Sequence, residues 1–208
     1  ADRTGGHACP ISMTHSVVPA LAAAPELAEV WLPRLYARGA TTGGSCRWGE
    51  KPGVLFGMAM TEKQGGSDVR ANTTRAMPDA DGSWGGLTGH KWFCSAPMSD
   101  AFLVLAQTHL GGSEWALSCF LVPRVLADGT RNVFRIQRLK DKLGNRSNAS
   151  AEVEFDNTRG YLVGGSGGAR RAHHHRDGRP DPAGLRARDR RRHAPVGRRG
   201  TVARPVPR

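Results

Sequence analysis

Apolar residues recur at mixed spacings of three and four between Ile11 and Arg38, which is the pattern of short amphipathic helices. The positions that carry this pattern are Val18, Leu21, Leu27, Val30, Trp31 and Leu35. Pro19, Pro25 and Pro33 interrupt it, and a proline inside a helix costs about 3 kcal/mol. We therefore expect several short helices instead of one long helix. The next segment, Gly39–Gly53, is rich in Gly, Thr and Ser and is predicted to be a connector.

Beyond Gly53 the pattern changes to short apolar runs that are typical of β-strands. The predicted strands are Val54–Met60, Ala101–Ala106, Trp115–Val122, Val133–Arg138 and Ala151–Phe155. The dipeptides Asp81-Gly82 and Asp128-Gly129 predict tight turns, because Gly accepts the positive φ that such turns require. Since no helical pattern separates the strands, we expect an antiparallel sandwich or barrel and not a parallel α/β sheet.

Charge is distributed unevenly along the 208 residues, which carry 30 Lys and Arg against 18 Asp and Glu and a formal net charge of +12. Residues 1–166 account for only +2 of this, whereas residues 167–208 contain 13 Arg, no Lys and 3 Asp. The basic segment also lacks Ile, Met, Cys and aromatic residues, so it cannot bury enough surface to offset the entropy of folding. We expect residues 167–208 to be disordered. A second class of function stays open, a small nucleic-acid-binding module whose Arg-rich tail grips phosphates.

Membrane, secreted and metal-binding classes have little support in the sequence. No apolar run approaches the roughly 18 to 20 residues that cross a bilayer, and no signal-peptide pattern is present. Cys9, Cys46, Cys94 and Cys119 lie far apart, so neither a disulfide framework nor a structural zinc site is indicated. We expect a soluble, cytoplasmic protein without a metal site. The chain begins at Ala1 and not at Met, so we also expect its natural N-terminus to lie upstream.

The strongest candidate for ligand binding is the segment Met58–Asp68, where an apolar strand runs into a polar loop. Gly65 and Gly66 allow the dihedrals of an anion-binding nest of backbone N–H groups, and Thr61 and Ser67 add hydroxyl donors. The alternative is an ordinary turn at the end of a strand, with Ser67 or Asp68 capping the element that follows.

Two further segments mix side chains of different chemistry. In Thr88–Pro97, Trp92 and Phe93 are adjacent, so on a strand one could fill the core while the other offers a flat surface to a ring system. The alternative is that both rings pack in the core; His90 and Lys91 are predicted to be solvated. The segment Arg138–Ser150 could position a phosphate or be a solvated loop. No catalytic arrangement of Ser, His, Cys and carboxylate residues can be assembled with any specificity.

Three segments together resemble the acyl-CoA dehydrogenase superfamily, namely Met58–Asp68, Gly89–Ser95 and Leu139–Ser150. The resemblance is closer to the adaptive-response branch, the flavoproteins associated with DNA alkylation damage, and Gly5–Met13 is similar to the upstream helical region of that branch. It extends over roughly residues 5–163. Lys63 stands where the family motif has proline, as in the alkylation-response branch and unlike the ordinary fatty acyl-CoA enzymes.

The resemblance implies a helical N-terminal domain, a middle β-barrel that contacts FAD, and a C-terminal helical domain with the catalytic glutamate. Thr61 would bond the pyrimidine side of the flavin and Ser67 would lie near the pyrophosphate. Phe93 would pack on the isoalloxazine with Cys94 beside it, and Ser95 would bond the flavin edge. The full set of implied FAD-binding residues is Met58, Ala59, Met60, Thr61, Glu62, Lys63, Gln64, Gly65, Gly66, Ser67, Phe93, Cys94 and Ser95.

The expected organisation is therefore an α+β fragment with three parts. Residues 1–53 are part of the helical domain and connector, residues 54–166 are an antiparallel β-barrel middle domain, and residues 167–208 form the tail. No segment matches the C-terminal domain, so no catalytic residue is assigned and we expect the fragment to be inactive. The resemblance implies an acyl-CoA-like substrate, and for the full-length relative it implies a homo-oligomer and a DNA-binding surface. It stops where the composition changes, which suggests a shifted reading frame as one origin of the tail.

Overall fold

A computed structural model describes residues 5–37, 52–80, 84–109 and 115–164 of the chain. Two helices precede the strands, as expected: α1 spans Gly5–Ala22 and α2 spans Pro25–Leu35. The connector beyond residue 37, the Asp81-Gly82 turn and the tail 167–208 lie outside the described residues.

Prolines divide the helical segment differently from the prediction. Pro25 does begin α2, where its missing N–H costs nothing. The expectation that Pro19 and Pro33 interrupt the helices is wrong, because α1 continues through Pro19 to Ala22 and α2 continues through Pro33 to Leu35. Val17 and Leu21, one turn apart on either side of Pro19, are both fully buried. Burying two such side chains contributes roughly 1.5 to 3 kcal/mol each, which offsets the hydrogen bond that proline removes.

The helices pack on the start of the first strand. The Thr14 hydroxyl donates to the Pro10 carbonyl at 2.8 Å and accepts the Phe56 N–H at 3.0 Å. Trp31 meets the Phe56 ring edge-on, with ring centroids 5.2 Å apart. One apolar cluster thus joins both helices to one face of the sheet.

Within the described ranges, eight strands form one mixed sheet in the order β6-β7-β3-β1-β4-β5-β8, with β2 pairing to β3 and β4. Their bounds are β1 Phe56–Thr61, β2 Arg75–Met77, β3 Gly86–Ser95, β4 Ala101–Thr108, β5 Ala116–Pro123, β6 Arg135–Leu139, β7 Ser150–Arg159 and β8 Tyr161–Leu162. A second apolar cluster, which includes Leu87, Phe102, Phe120 and Phe155, fills the face of the sheet opposite the helices.

The expected all-antiparallel arrangement is corrected at one place. β1 and β2 both run parallel to β4, while they are antiparallel to β3. The cause is the short β3–β4 connection, which passes over the start of β1 and bonds to it: the Asp100 carboxylate accepts the Leu55 N–H at 2.8 Å, and the Leu55 carbonyl accepts the Asp100 N–H at 2.9 Å. Consecutive antiparallel strands therefore lie on opposite sides of β1.

The Asp128-Gly129 turn and the strand β6 were both predicted from the sequence. The Asp128-Gly129 turn is confirmed, with Gly129 at φ 85° and the Leu126 carbonyl accepting its N–H. The predicted strand Val133–Arg138 contains β6, whose residues are exposed throughout. It lies at one end of the strand order and, within the described residues, pairs with β7 alone.

Candidate functional site

The polar loop predicted to bind a ligand interrupts a strand. β1 and β2 both lie between β3 and β4, so they occupy one strand position in the sheet. Residues 62–74, which we call the excursion loop, leave that position after Thr61 and return to it at Arg75. The loop contains a short 3-10 helix, Gly66–Ala71, whose N-cap is Gly65 at φ 106°. Gly65, and not Ser67 or Asp68, therefore holds the N-cap position, and Asp68 lies inside the element at a kink, with φ −127° and ψ 67°.

Strand register brings the three sequence segments together. Thr61 pairs with Phe93 and Met58 pairs with Ser95, so the start of the excursion loop lies beside the aromatic segment. Ser95 in turn pairs with Ser150, and the Ala96 N–H donates to the Ala149 carbonyl at 2.9 Å. The end of the third segment thus adjoins the same strand end.

A buried carboxylate closes the base of the excursion loop. Glu62, the first residue of the loop, accepts hydrogen bonds from both the N–H and the hydroxyl of Thr73 and of Thr74, at 2.6 to 3.1 Å. The Lys91 ammonium on β3 donates to the same carboxylate at 2.7 Å. Glu62 is 3% exposed and Lys91 is fully buried. The two ends of the loop are therefore tied to each other and to β3.

The 2.7 Å distance between Lys91 Nζ and Glu62 Oε1 is typical of a hydrogen bond between a charged ammonium and a charged carboxylate. Burial on its own raises the pKa of Glu62, but the hydrogen bonds from Lys91, Thr74 and Thr73 outweigh it and hold the pKa at about 2. Burial lowers the pKa of Lys91, and the carboxylate of Glu62 opposes that change. A buried carboxylate with five donors is fully satisfied, so it has no remaining capacity to bind a ligand.

A second set of hydrogen bonds braces the loop above its base. The Gln64 amide donates to the Asn72 side-chain oxygen at 2.8 Å, and the Asn72 amide donates to the Met60 carbonyl at 2.9 Å. A Cβ at Gly66 would lie 3.1 Å from the Thr61 hydroxyl oxygen, so the loop folds closely back over Thr61. Ser67 is left exposed on the outer rim.

The side chains of the expected FAD-binding set differ in access. Phe93 is 37% exposed, and Thr61 and Ser95 are partly buried, so their side chains can meet a ligand. Ala59, Glu62 and Cys94 are buried, and burial raises the pKa of the Cys94 thiol to about 12. These three can reach a cofactor only through their backbone.

The prediction that His90 and Lys91 are solvated is wrong for Lys91. Strict alternation from the buried Leu87 places Lys91 on the interior face, and this signal could have identified it. The His90 side chain is 28% exposed and lies 3.6 Å from Glu152 and 3.7 Å from Glu154.

Trp92 belongs to a charged surface cluster and not to the core. Lys140 Nζ lies 3.0 Å from the centroid of its ring, and Arg138 and Lys63 lie farther out at 5.6 and 5.7 Å. Lys140 and Arg138 also donate to Glu152 at 2.7 and 2.6 Å, and their hydrogen bonds lower the pKa of that carboxyl. Lys140 and Arg138 are therefore already paired with a carboxylate of the protein.

The third segment is braced internally. Lys142 Nζ donates to the Asn148 carbonyl at 2.5 Å and to the Ser150 hydroxyl at 3.0 Å.

Neither α1 nor α2, the two α-helices of the described ranges, is long and apolar enough to span a membrane.

Two family models match the chain. Residues 57–158 match the acyl-CoA dehydrogenase middle domain, and residues 1–39 match the N-terminal domain of the adaptive response protein AidB. The chain belongs to the acyl-CoA dehydrogenase superfamily, in its adaptive-response branch.

Individual relatives agree with this assignment. AidB of Escherichia coli (strain K12) is 54% identical over 164 residues, which are 76% of this chain and 28% of that protein. The structure of Bd2924 in its apo form superposes with a TM-score of 0.60 at 34% identity, covering 76% of this chain and 31% of that one. Caenorhabditis elegans ACDH-11 in complex with C11-CoA gives 0.60 at 30% identity, covering 76% and 26%. The chain thus spans less than a third of each of these relatives. None of these matches supports the nucleic-acid-binding alternative, whose Arg-rich segment lies outside the described residues.

Proposed function

We propose that this chain is the FAD-binding part of an acyl-CoA dehydrogenase-like oxidoreductase of the DNA alkylation-response type. The observation that carries the proposal is the register of β1 and β3, which sets Thr61 beside Phe93 and Met58 beside Ser95. An accessible aromatic ring thereby lies between hydroxyl groups, which suits a flat ring system with polar edges.

The residues of this surface fit the cofactor. Phe93 offers a partly exposed face for stacking, Ser95 a hydroxyl at the ring edge, and Thr61 a hydroxyl on the neighbouring strand. Because Gly66 has no side chain, the loop can lie close to Thr61 without covering its hydroxyl further, and Ser67 on the exposed rim is available to a phosphate oxygen. FAD bound here would supply the acceptor for a hydride from an acyl thioester; the protein groups named would bind and orient it.

The substrate and the assembly of the whole protein belong to the same proposal. We infer an acyl-CoA-like substrate, a homo-oligomeric full-length protein and a DNA-binding surface beyond the described residues. We also retain residues 1–53 and 54–166 as the two domain segments, the second as a barrel. Lys63 at the family's proline position supports a substrate other than an ordinary fatty acyl-CoA.

Titration of FAD into the 208-residue chain tests the proposal. We expect weak binding with a change in the visible flavin spectrum. Thr61→Ala and Ser95→Ala should each weaken the affinity by roughly two- to tenfold, since each removes one hydrogen bond of ~0.5 to 1.5 kcal/mol. Ser16→Ala is the matched control, because its hydroxyl bonds only the Ser12 carbonyl on an exposed side of α1. Equal affinity in all variants, or no spectral change with the unmodified chain, would refute the site.

A further inference from the structure

We propose that the buried Glu62–Lys91 ion pair is a positioning element, which holds the excursion loop and the aromatic segment in the arrangement that receives the cofactor. This inference rests on the proposed function for the identity of the ligand. The geometry itself concerns residues 62–74 and β3 alone.

The ion pair lies next to the residues proposed to contact the flavin. Glu62 directly follows Thr61, and Lys91 lies two residues before Phe93. Thr61 and Phe93 are the residues that face each other across β1 and β3. The ion pair therefore links the two strands next to the residues proposed to contact the flavin.

Backbone pairing is irregular around the ion pair. The β1–β3 register shifts between Met58 and Thr61, and the β3–β7 register shifts between Lys91 and Cys94. A bulge leaves residues out of the ladder and re-aims their side chains, so regular hydrogen bonding does not by itself fix Thr61 and Phe93. The 2.7 Å contact between Lys91 Nζ and Glu62 Oε1 supplies a link where the ladder is interrupted.

Glu62 can close the loop only with Lys91 beside it. The carboxylate gathers four donors from Thr73 and Thr74, which closes the loop, but those donors are neutral. A buried carboxylate without a counter-charge is strongly unfavourable. Lys91 compensates the charge and also ties the closed loop to β3. Loss of the ammonium should thus release the loop while the rest of the sheet keeps its contacts.

Hydrogen exchange measured residue by residue on the 208-residue chain tests this directly. In Lys91→Met we expect the amides of residues 63–72 to exchange at least about tenfold faster, while those of β7 stay within about twofold of the unmodified chain. The double variant Glu62→Gln/Lys91→Met, which removes both charges, should recover part of the protection. Thr108→Val is the matched control, because it removes a buried hydroxyl that has no hydrogen-bond partner among the described residues. Unchanged exchange of residues 63–72 in Lys91→Met would overturn the inference.

Thr73→Val provides a milder test should Lys91→Met fail to fold. It removes the hydroxyl bond to Glu62 and keeps the backbone bond, so we expect exchange of the loop to rise by roughly two- to tenfold. No rise in this variant would also overturn the inference.

FAD titration of the same variants separates the two proposals. Weaker FAD binding in proportion to the loss of loop protection supports the positioning role. FAD affinity that stays unchanged while the loop is released overturns that role and leaves the proposed function intact. Absence of FAD binding by the unmodified chain overturns the proposed function instead, and with it the flavin as the ligand that the loop receives.

Discussion

Acid unfolding should report the ionisation of Glu62 more strongly than that of any exposed carboxyl group. Its pKa lies at about 2 in the folded chain, against an ordinary value of 4.5. The carboxylate therefore contributes stability that is fully present above pH 4.5 and is lost as the pH falls toward 2. A displacement of that size corresponds to about 3 kcal/mol of unfolding free energy, with a slope that cannot exceed about 1.4 kcal/mol per pH unit for one proton.

The measurement is urea unfolding at pH values from about 2 to about 6, followed by tryptophan fluorescence. Trp31 is buried against Phe56, and Trp84 packs edge-on against Phe120 with centroids 5.1 Å apart, so both should report loss of the fold. Glu62→Gln cannot ionise, so its stability should be lower near neutral pH and should depend less on pH by about 3 kcal/mol over this range.

A comparison of two glutamates controls for the other carboxyl groups. Glu154 is about half exposed on the same sheet, and Glu154→Gln should keep the steep pH dependence of the unmodified chain. The reasoning would be refuted if Glu62→Gln and the unmodified chain lost stability in parallel as the pH falls.

Packing, cofactor contact and thiol access give three further tests. Gly57→Ala should destabilise the fold by about 1 to 3 kcal/mol, because a Cβ there would lie 2.6 Å from Phe102 Cε1, whereas Gly144→Ala, with nothing within 4 Å, should leave the urea midpoint nearly unchanged; equal midpoints would contradict the packing. Phe93→Ala should reduce FAD affinity with little loss of stability, since the ring is partly exposed, and a large fall in the urea midpoint would contradict this. Cys94, fully buried with its thiol pKa raised to about 12, should react with a thiol reagent only after unfolding; labelling of Cys94 in the native chain, read by mass spectrometry, would show the burial to be wrong.

Hydrophobic patterning predicted the helical start of the chain and, in order, five of the eight strands of the described residues, but it missed β2, β3 and β8. The spacing of Leu21 and Trp31 predicts helices, and both residues are buried against the sheet. It could not predict that α1 continues through Pro19, because that outcome depends on what Val17 and Leu21 pack against. Patterning also does not show which strands are neighbours in the sheet. The parallel pairing of β1 with β4 follows from the path of residues 96–100 across Leu55, which no periodicity records.

In the candidate site, too, features that are local in sequence could be predicted, whereas contacts between distant residues could not. Its segments were visible because Gly65, Gly66 and the hydroxyl residues cluster in sequence. Lys91 was misplaced because a lysine is ordinarily solvated, and its partner Glu62 lies far away in the chain. The burial of Glu62 depends equally on Thr73 and Thr74, at the far end of the excursion loop. An ion pair of this kind can be found only when the strand register is known.

An interrupted strand explains how one loop can be exposed and ordered at once. The excursion loop begins and ends in the same strand position, so β3 and β4 fix both of its ends. The donors on Thr73 and Thr74 then close it through Glu62, and only the rim from Lys63 to Arg70 extends away from the base. Substitutions on the rim should alter ligand contacts and leave the sheet intact, because the rim contributes nothing to either apolar cluster. Substitutions at Glu62 or Lys91 should alter ligand contacts through the position of the whole loop. Neither Glu62 nor Lys91 offers a free polar group to the ligand. If substitution of either residue weakens ligand binding, the excursion loop is held in place from its base, which would not be the case for an ordinary surface turn.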